Sequence, residues 1–424
     1  KTAYEIMPSL VGSEMCIRDR PLIDQHDKNG MWGGKFGGNF VPETLKKPIE
    51  DLENLFSKLR KDKSFIKERD YYFENYVGTP TPLIKLDNLT DYLGGAQLWA
   101  KVVSENPGTA HKVYACIVHC LIAKRAGKRY VCTDTGAGMQ GKNLAMVAKK
   151  FGLKAKIFMG LRDLVRQKKN VDVMKKYGAE VVPVTSGSQT LVDAVSESMR
   201  YWVANCQDVH MVIGSTVGPS IFVKISGYST SQISRELKLQ LIEEFGKIPN
   251  KLKLLNCVGG GSSAYGFWSE FIDYDKKHVS LIGVEAGGSK KTKLHAAPLS
   301  NNSKLGILHG AKAYCIQDND GQIGETESLS SGLDYPSVSP LHCFLKDTGR
   351  AEYTSATDEE ALNAYKLVSK LENISPSLEP SHAFATAISL APKLSEDTVL
   401  CIDSCGHSLK DSEIIKEKLG FYRE

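Results

Sequence analysis

The sequence predicts an α/β protein built as two doubly wound lobes. Three observations carry that expectation. From about residue 97 onward, short β-branched or apolar runs ending in glycine-rich turns alternate with amphipathic stretches. Alternation of this kind specifies a mostly parallel sheet with helices on both faces. The strand-like runs are too many for one sheet, and 424 residues leave room for two or three domains at roughly 150 residues each.

Taken in order, residues 1–20 (KTAYEIMPSLVGSEMCIRDR) have mixed charge, a short apolar stretch and no small-residue cleavage site. They make a poor signal peptide. They resemble a peptide that recurs at the ends of transcriptome-derived sequences, and are expected to be a non-native extension. Strands are predicted at 97–102, 128–133, 155–159, 180–184, 210–214, 253–258, 280–285 and 398–403. Helices are predicted at 141–151, 167–177, 190–205, 229–245, 264–272, 358–372 and 381–394. Thr357-Asp358-Glu359-Glu360 reads as a capping box, and Ser188 and Thr190 sit where an N-cap hydroxyl would precede the 191–205 amphipath. The polar stretch 287–329 reads as long loops, which in a compact enzyme often wall a site.

Composition excludes several functions. No apolar run approaches the ~20 residues that span a bilayer. The net charge of +5 is weak for this length, and its signs alternate along the chain, so nucleic acid is not an expected partner. Ten cysteines lie mostly in apolar runs, which fits buried free thiols in a soluble intracellular protein better than a disulfide scaffold. Cys116 and Cys120 could share a helix face, but no second ligand pair accompanies them, and no side-chain metal site is expected.

In doubly wound sheets ligands bind beyond the carboxyl ends of the strands, so the strand-to-helix turns carry the chemistry. Val258-Gly259-Gly260-Gly261-Ser262-Ser263-Ala264 follows an apolar strand and opens a helix. It reads as a phosphate cradle, or as a tight turn with packing glycines. Gly259, Gly261 and Ala264 also satisfy G-x-G-x-x-A, with Glu285 where a dinucleotide fold places its ribose-binding acid. Gly108-Thr109-Ala110-His111-Lys112 puts a lysine at a loop-to-helix junction. The positive end of the helix dipole there lowers an amine's pKa, which suits an imine-forming nucleophile; an exposed first-turn lysine is the plainer reading. Asp134-Thr135-Gly136-Ala137-Gly138 offers donors suited to a carboxylate, with Asp134 within reach as a general acid or base, or a glycine turn with an aspartate cap. Together they make a phosphate cradle, an amine, a carboxylate cradle and an acid–base carboxyl. That set suits pyridoxal phosphate and an amino-acid substrate.

Longer motifs carry a resemblance. They include GGKFGGNFVPETL (33–45), GTPTPL (78–83), LGGAQLW (93–99), AHK (110–112), TGAG (135–138), GAEVVPVTSGSQTL (178–191), VGGGS (258–262), GVEAGG (283–288), LHGAKAY (308–314), SGLDYPSV (331–338) and LEPSHA (378–383). From about residue 33 to 419 the chain resembles the tryptophan synthase β-subunit family, fold-type-II pyridoxal phosphate enzymes. That overrides the dinucleotide reading. The resemblance implies an N-terminal lobe of 21–77 plus 111–228, containing a mobile subdomain of about 127–214, and a C-terminal lobe of 78–110 plus 229–424. It implies that Lys112 forms the imine with pyridoxal phosphate and that His111, Gly259, Gly260, Gly261, Ser262 and Ser263 hold the cofactor. Glu379 and Cys405 would face its ring, Cys405 standing where the family has a serine at the pyridine nitrogen. Thr135, Gly136, Ala137, Gly138, Met139 and Gln140 would surround the substrate carboxylate. Asp334 would lie near the nucleophile pocket, with Arg166 as its loop-closing partner. A monovalent cation, Na+ or K+, would sit on the backbone carbonyls of Gly259, Tyr335 and Ser337.

The departures from the family cluster at the site. Asp134 replaces the catalytic glutamate, Met139-Gln140 the Gln-His pair, Tyr114 an asparagine, Ser263 the phosphate-loop asparagine, Lys101-Val102-Val103-Ser104 a Lys-Arg-Glu-Asp run and Ser220-Ile221-Phe222-Val223 an HPYP-type segment. Near the C-terminus Cys405-Gly406-His407-Ser408-Leu409 replaces Ser-Gly-Arg-Gly-Asp. The resemblance implies β-replacement on an L-serine-like amino acid through an aminoacrylate, with an altered donor or nucleophile. The alternatives are a β-eliminating lyase or deaminase, and a degenerate homologue with a binding role. It also implies a homodimer, leaves an α-subunit partner open, and does not separate cytoplasm from plastid.

Overall fold

The computed structural model describes residues 21–301 and 303–423, so the expected extension at 1–20 lies outside the described residues. The larger sheet has six strands in the order Ala351–Ala356, Val279–Ala286, Leu252–Cys257, Val399–Asp403, Gln97–Lys101 and Leu83–Lys85. All neighbours run parallel except the last pair. The smaller sheet, Glu180–Val184, Lys154–Gly160, Tyr130–Thr135 and Val209–Met211, is wholly parallel. Each predicted strand is present, four in each sheet, with 180–184 matched at both ends and the others shifted. Both sheets are covered by helices, which is why consecutive residues such as Leu254 to Cys257 and Val399 to Asp403 are buried rather than alternating with exposed ones.

The helix Lys112–Arg125 ties the two sheets together. Val113 through Ala123 are all buried, so it is apolar all round, as a helix enclosed by protein must be. The Thr357 capping box is formed: Thr357 accepts from the Glu360 N–H, and the Glu360 carboxylate accepts from the Thr357 N–H at 2.7 Å. At the Leu191–Asn205 helix the anticipated cap is not made. Thr190 caps nothing, and the Ser188 hydroxyl donates to the Asp193 carboxylate at 2.6 Å instead.

Three other expectations change. The helix read over 229–245 is two helices, Ser220–Thr230 and Gln232–Phe245. At their junction the hydroxyls of Ser229, Thr230 and Ser231 donate back to the carbonyls of Ile225, Ser226 and Tyr228, a competition with the helix ladder that favours a break. The stretch 287–329 contains an antiparallel pair, Lys304–Leu308 with Ala311–Cys315, within a third small sheet. Its outer strand is largely exposed, so no apolar alternation marked it. The helices Glu43–Leu59, Lys63–Tyr72 and Pro340–Asp347 were not anticipated either.

Candidate cofactor and substrate site

One cavity opens where the strands Tyr130–Thr135, Leu252–Cys257 and Val399–Asp403 end and the helix Lys112–Arg125 begins. Carboxyl ends of parallel strands, meeting a helix N-terminus, are where backbone N–H groups are left over for a ligand.

Lys112 is the first residue of its helix and lines this cavity. Its Nζ donates to the Gly214 carbonyl at 2.8 Å, and withdrawal from bulk water lowers its ammonium pKa. A depressed ammonium releases the lone pair that imine formation needs. The exposed-lysine reading therefore fails. Beside it, His111 Nε2 lies 3.0 Å from Ser262 Oγ. Burial lowers the imidazole to about 3, so it is neutral, and its Nδ1 is buried without a partner.

The glycine loop lies across from Lys112. Among the described residues the N–H groups of Gly259, Gly260 and Gly261 donate to no protein acceptor. The space around them is already walled. A Cβ on Gly259 would lie 2.7 Å from the Gly332 carbonyl oxygen, one on Gly260 2.2 Å from Ser215 Oγ, and one on Gly261 2.2 Å from His342 Cδ2. Bare donors in a concave backbone fit a phosphate. Ser262 lines the cavity as expected, whereas Ser263 reaches it but turns its hydroxyl to the Asp403 carboxylate at 2.5 Å, anchoring the loop to the next strand.

The second loop has the same character. The N–H groups of Gly136, Ala137 and Gly138 likewise have no protein acceptor among the described residues, and Thr135 Oγ accepts from the Gly141 N–H at 3.3 Å. Thr135, Gly136, Ala137, Met139 and Gln140 line the cavity. Gly138 does not: it takes φ +83° at the start of the next helix, packed against Asn170. Asp134 lines the cavity at the end of its strand, and burial raises its carboxyl to about 6 despite the nearby Lys112. A carboxyl poised there can both hold and release a proton near neutrality.

Glu379 is fixed from three sides. Its Oε1 accepts from the Gly332 N–H at 3.0 Å and from Lys410 Nζ at 2.9 Å, and its Oε2 accepts from Ser377 at 2.7 Å. Burial opposes its charge, but Lys410 outweighs burial and keeps it ionised. Cys405 also lines the cavity, its Sγ 3.6 Å from Cys257 Sγ.

Not every expected residue gathers here. Arg166 is exposed and pairs with Asp163, one turn earlier in its own helix, rather than with Asp334. Asp334 does not line the cavity; its Oδ1 is buried without a hydrogen-bond partner. Of the three cation carbonyl positions, Gly259 and Tyr335 border the cavity, while Ser337 lies behind it, donating to the Tyr314 carbonyl. Glu285 is turned away as well, accepting from the Leu299 and Ser300 N–H groups, which removes the acid that the dinucleotide reading needed. Sequence reasoning missed Gly214 and Ser215, which face Lys112 and Gly260, and His309. His309 sits at φ +49° in the turn of the unanticipated hairpin, with Nδ1 2.8 Å from the Tyr335 hydroxyl. No local motif marked them, because their positions follow from loops whose pairing is long-range.

A family model described as pyridoxal-phosphate dependent enzyme matches residues 75–404. The chain is 44% identical over 379 residues to the tryptophan synthase beta chain of Bacillus pumilus (strain SAFR-032), covering 89% of this chain and 94% of that one. It is 44% identical over 387 residues to the tryptophan synthase beta chain of Rhodopseudomonas palustris (strain BisA53), covering 91% and 95%. The family model spans Lys112 and both loops of unpartnered N–H groups. The chain belongs to the tryptophan synthase β-chain family of pyridoxal-phosphate dependent enzymes.

Proposed function

We propose that the chain catalyses β-replacement on an L-serine-like amino acid, in a pocket whose acceptor side has changed. One observation carries this: Lys112, Asp134 and two loops of unpartnered N–H groups open on a single cavity. Bound there, pyridoxal phosphate supplies an electron sink that acidifies the substrate's Cα–H and labilises its β-substituent. Lys112 Nζ holds the cofactor and then takes and returns the Cα proton. Gly259, Gly260, Gly261 and Ser262 bind the phosphate, and neutral His111 orients Ser262. Thr135, Gly136 and Ala137 bind the substrate carboxylate through backbone donors. The Asp134 carboxyl delivers a proton to the departing β-group and orients the incoming nucleophile. Cys405 and Glu379, the latter held by Lys410, would flank the cofactor ring.

Leu191, Val195 and Val217 give the acceptor side an apolar wall. Indole is the first nucleophile to test, given the names of the relatives. Release of Arg166 from Asp163 to reach Asp334 would close the loop over bound substrate, with 127–214 moving as a unit. A monovalent cation on the carbonyls of Gly259, Tyr335 and Ser337 and a homodimer complete the proposal, which leaves an α-subunit partner open.

The test is an absorbance spectrum of wild type and Lys112→Ala with cofactor, followed by L-serine with and without indole. The expected result is a visible band that Lys112→Ala lacks, and a new amino acid formed only with a nucleophile. Pyruvate instead would assign a β-eliminating lyase. A wild-type protein with no cofactor band would leave the degenerate, binding-only reading.

A further inference from the structure

Two thiols share the wall of this cavity. Cys257 ends the strand Leu252–Cys257, and Cys405 follows the strand Val399–Asp403 by two residues. These strands are parallel neighbours, with Leu255 opposite Ile402, so both cysteines leave the sheet at the same edge. Continuing that register puts Cys257 opposite Ser404, the residue before Cys405, with neighbouring strands about 4.8 Å apart. The two sulfurs lie 3.6 Å apart, packed with Ala286, Ala296 and Leu333. Closing that gap to a bond of ~2.0 Å takes an approach of about 1.6 Å, which side-chain torsion can supply. Among the described residues this is the one pair of thiols in hydrogen-bond contact, and both line a cavity that admits small molecules.

We propose that Cys257 and Cys405 are a modification site: an oxidisable dithiol at which a peroxide-class oxidant closes a disulfide in the wall of the cofactor cavity. In the first step the Cys405 sulfur attacks a peroxide oxygen. The O–O bond breaks, a sulfenic acid forms, and the thiol proton leaves with the displaced oxygen as water. In the second step the Cys257 sulfur displaces the sulfenic oxygen, which takes the Cys257 proton and departs as a second water. Two S–H bonds and one O–O bond are lost, one S–S bond forms, and the two electrons removed from the sulfurs reduce the peroxide.

The order of attack follows from the surroundings. The contact with Cys405, burial and the charges of Glu379 and Asp403 all hold the Cys257 proton on, which leaves Cys405 to attack first. The consequence follows from the backbone. The Cys405 carbonyl accepts from the His111 N–H at 3.1 Å, and the adjoining Gly406 carbonyl accepts from the Ser377 N–H at 2.7 Å. Drawing Cys405 toward Cys257 therefore pulls on the residue before Lys112 and on the one that holds Glu379, and removes the thiol from the cavity wall. That effect on cofactor binding rests on the cofactor reading above; the disulfide does not.

The test is hydrogen peroxide treatment of the full chain, without and with pyridoxal phosphate. It is read by intact mass, by a peptide map without reductant and by cofactor titration. The expected result is the loss of two hydrogen atoms and a linked peptide joining Cys257 to Cys405, absent in Cys257→Ser and in Cys405→Ser and reversed by dithiothreitol. Cofactor binding should weaken about tenfold or more on oxidation, and bound cofactor should slow the linkage. If peroxide fully modifies the half-buried Cys206 while no Cys257–Cys405 peptide forms, the proposal is overturned. A linked peptide in a protein that binds no cofactor even when reduced would sink the cofactor reading and leave the dithiol standing.

Discussion

Gly261→Ala tests whether the glycine loop is shaped for a ligand. Gly261 adopts φ +92° at the start of the helix Ser262–Trp268, a conformation that costs an L-residue roughly 1–2 kcal/mol. The new Cβ would also lie 2.2 Å from His342 Cδ2, so His342 must move. That ring is fully buried, with Nε2 2.7 Å from the Gly261 carbonyl oxygen and Nδ1 2.8 Å from the Tyr353 hydroxyl. Losing both bonds costs about 1 kcal/mol each, so the substitution disfavours the observed loop by roughly 3–4 kcal/mol in all. If the chain relaxes by moving the loop, this falls on cofactor binding, where ~3 kcal/mol is about a hundredfold in Kd. If it does not relax, the same amount falls on stability. The assay is a cofactor titration beside a urea titration of the cofactor-free protein. Gly152→Ala is the control: φ is +71° but nothing lies within 4 Å of its Cβ, so it should cost ~1 kcal/mol of stability and leave cofactor affinity alone. A Gly261→Ala protein with cofactor Kd within about threefold of wild type and an unmoved urea midpoint would refute the reasoning.

Because burial raises Asp134 to about 6, kcat/KM is expected to change through a limb near that pH, and Asp134→Asn should abolish the limb; a limb that survives in the variant would remove Asp134 from the chemistry. Its folded pKa lies above its ordinary 3.8, so its contribution to stability is full below that value and is lost as pH rises through about 6. Urea midpoints should therefore shift in favour of Asp134→Asn across that interval. Lys410→Met leaves Glu379 and Asp411 buried without their shared ammonium. A loss of about 3–5 kcal/mol is expected, partly recovered in acid as the carboxyls take protons, and an unchanged midpoint would count against the ion-pair reading. Lys101, fully buried, pairs with Glu236 at 2.8 Å and with the Thr81 carbonyl. Lys101→Met should cost a similar amount, and adding Glu236→Gln should restore much of it, because the double variant no longer buries an unpaired charge.

The legible parts were those in which local sequence and long-range packing agree. Val399 to Ile402 are apolar because both faces of their sheet are covered, and the run ends at Asp403, the last residue of the strand. The Thr357 box works through residues three apart, so the sequence contains all of it. Thr190 shows the limit of the same reasoning. Its hydroxyl sat at the right spacing, but Asp193 captured Ser188, and which acceptor wins depends on where the loop is held. The hairpin Lys304–Leu308 and Ala311–Cys315 was read as loop because its outer strand buries little, and what fixes it is pairing to Phe36–Gly37, hundreds of residues away. Arg166 and Asp334 were paired by resemblance, yet a carboxylate one helical turn from Arg166 competes for it in this conformation. Lys112, Asp134 and the two glycine loops stood out because each lies at a junction leading into a helix, and those junctions meet at one cavity.

The loops that bind and the side chains that react are exposed to substitution in different ways. In the proposed reading phosphate and carboxylate meet backbone N–H groups at Gly259–Gly261 and Gly136–Ala137, and a backbone donor survives any replacement by a residue other than proline that leaves its φ and ψ alone. Around those donors lie the side chains at which the resemblance implies departures from the family. Gln140 turns its amide to Thr133 and packs against Gly214, Ser263 is taken up by Asp403, and Cys405 rests against Cys257. None of these changes removes a donor from either loop. Their effect falls on groups that move protons or face the reacting atoms: Asp134, one methylene short of glutamate, and the thiol at Cys405. Proton transfer is sensitive to displacements of an ångström, whereas anion binding by a preformed backbone cradle is not. Divergence in this chain should therefore appear in kcat and in the choice of nucleophile, with cofactor affinity held by the parts of the site that have no side chains to change.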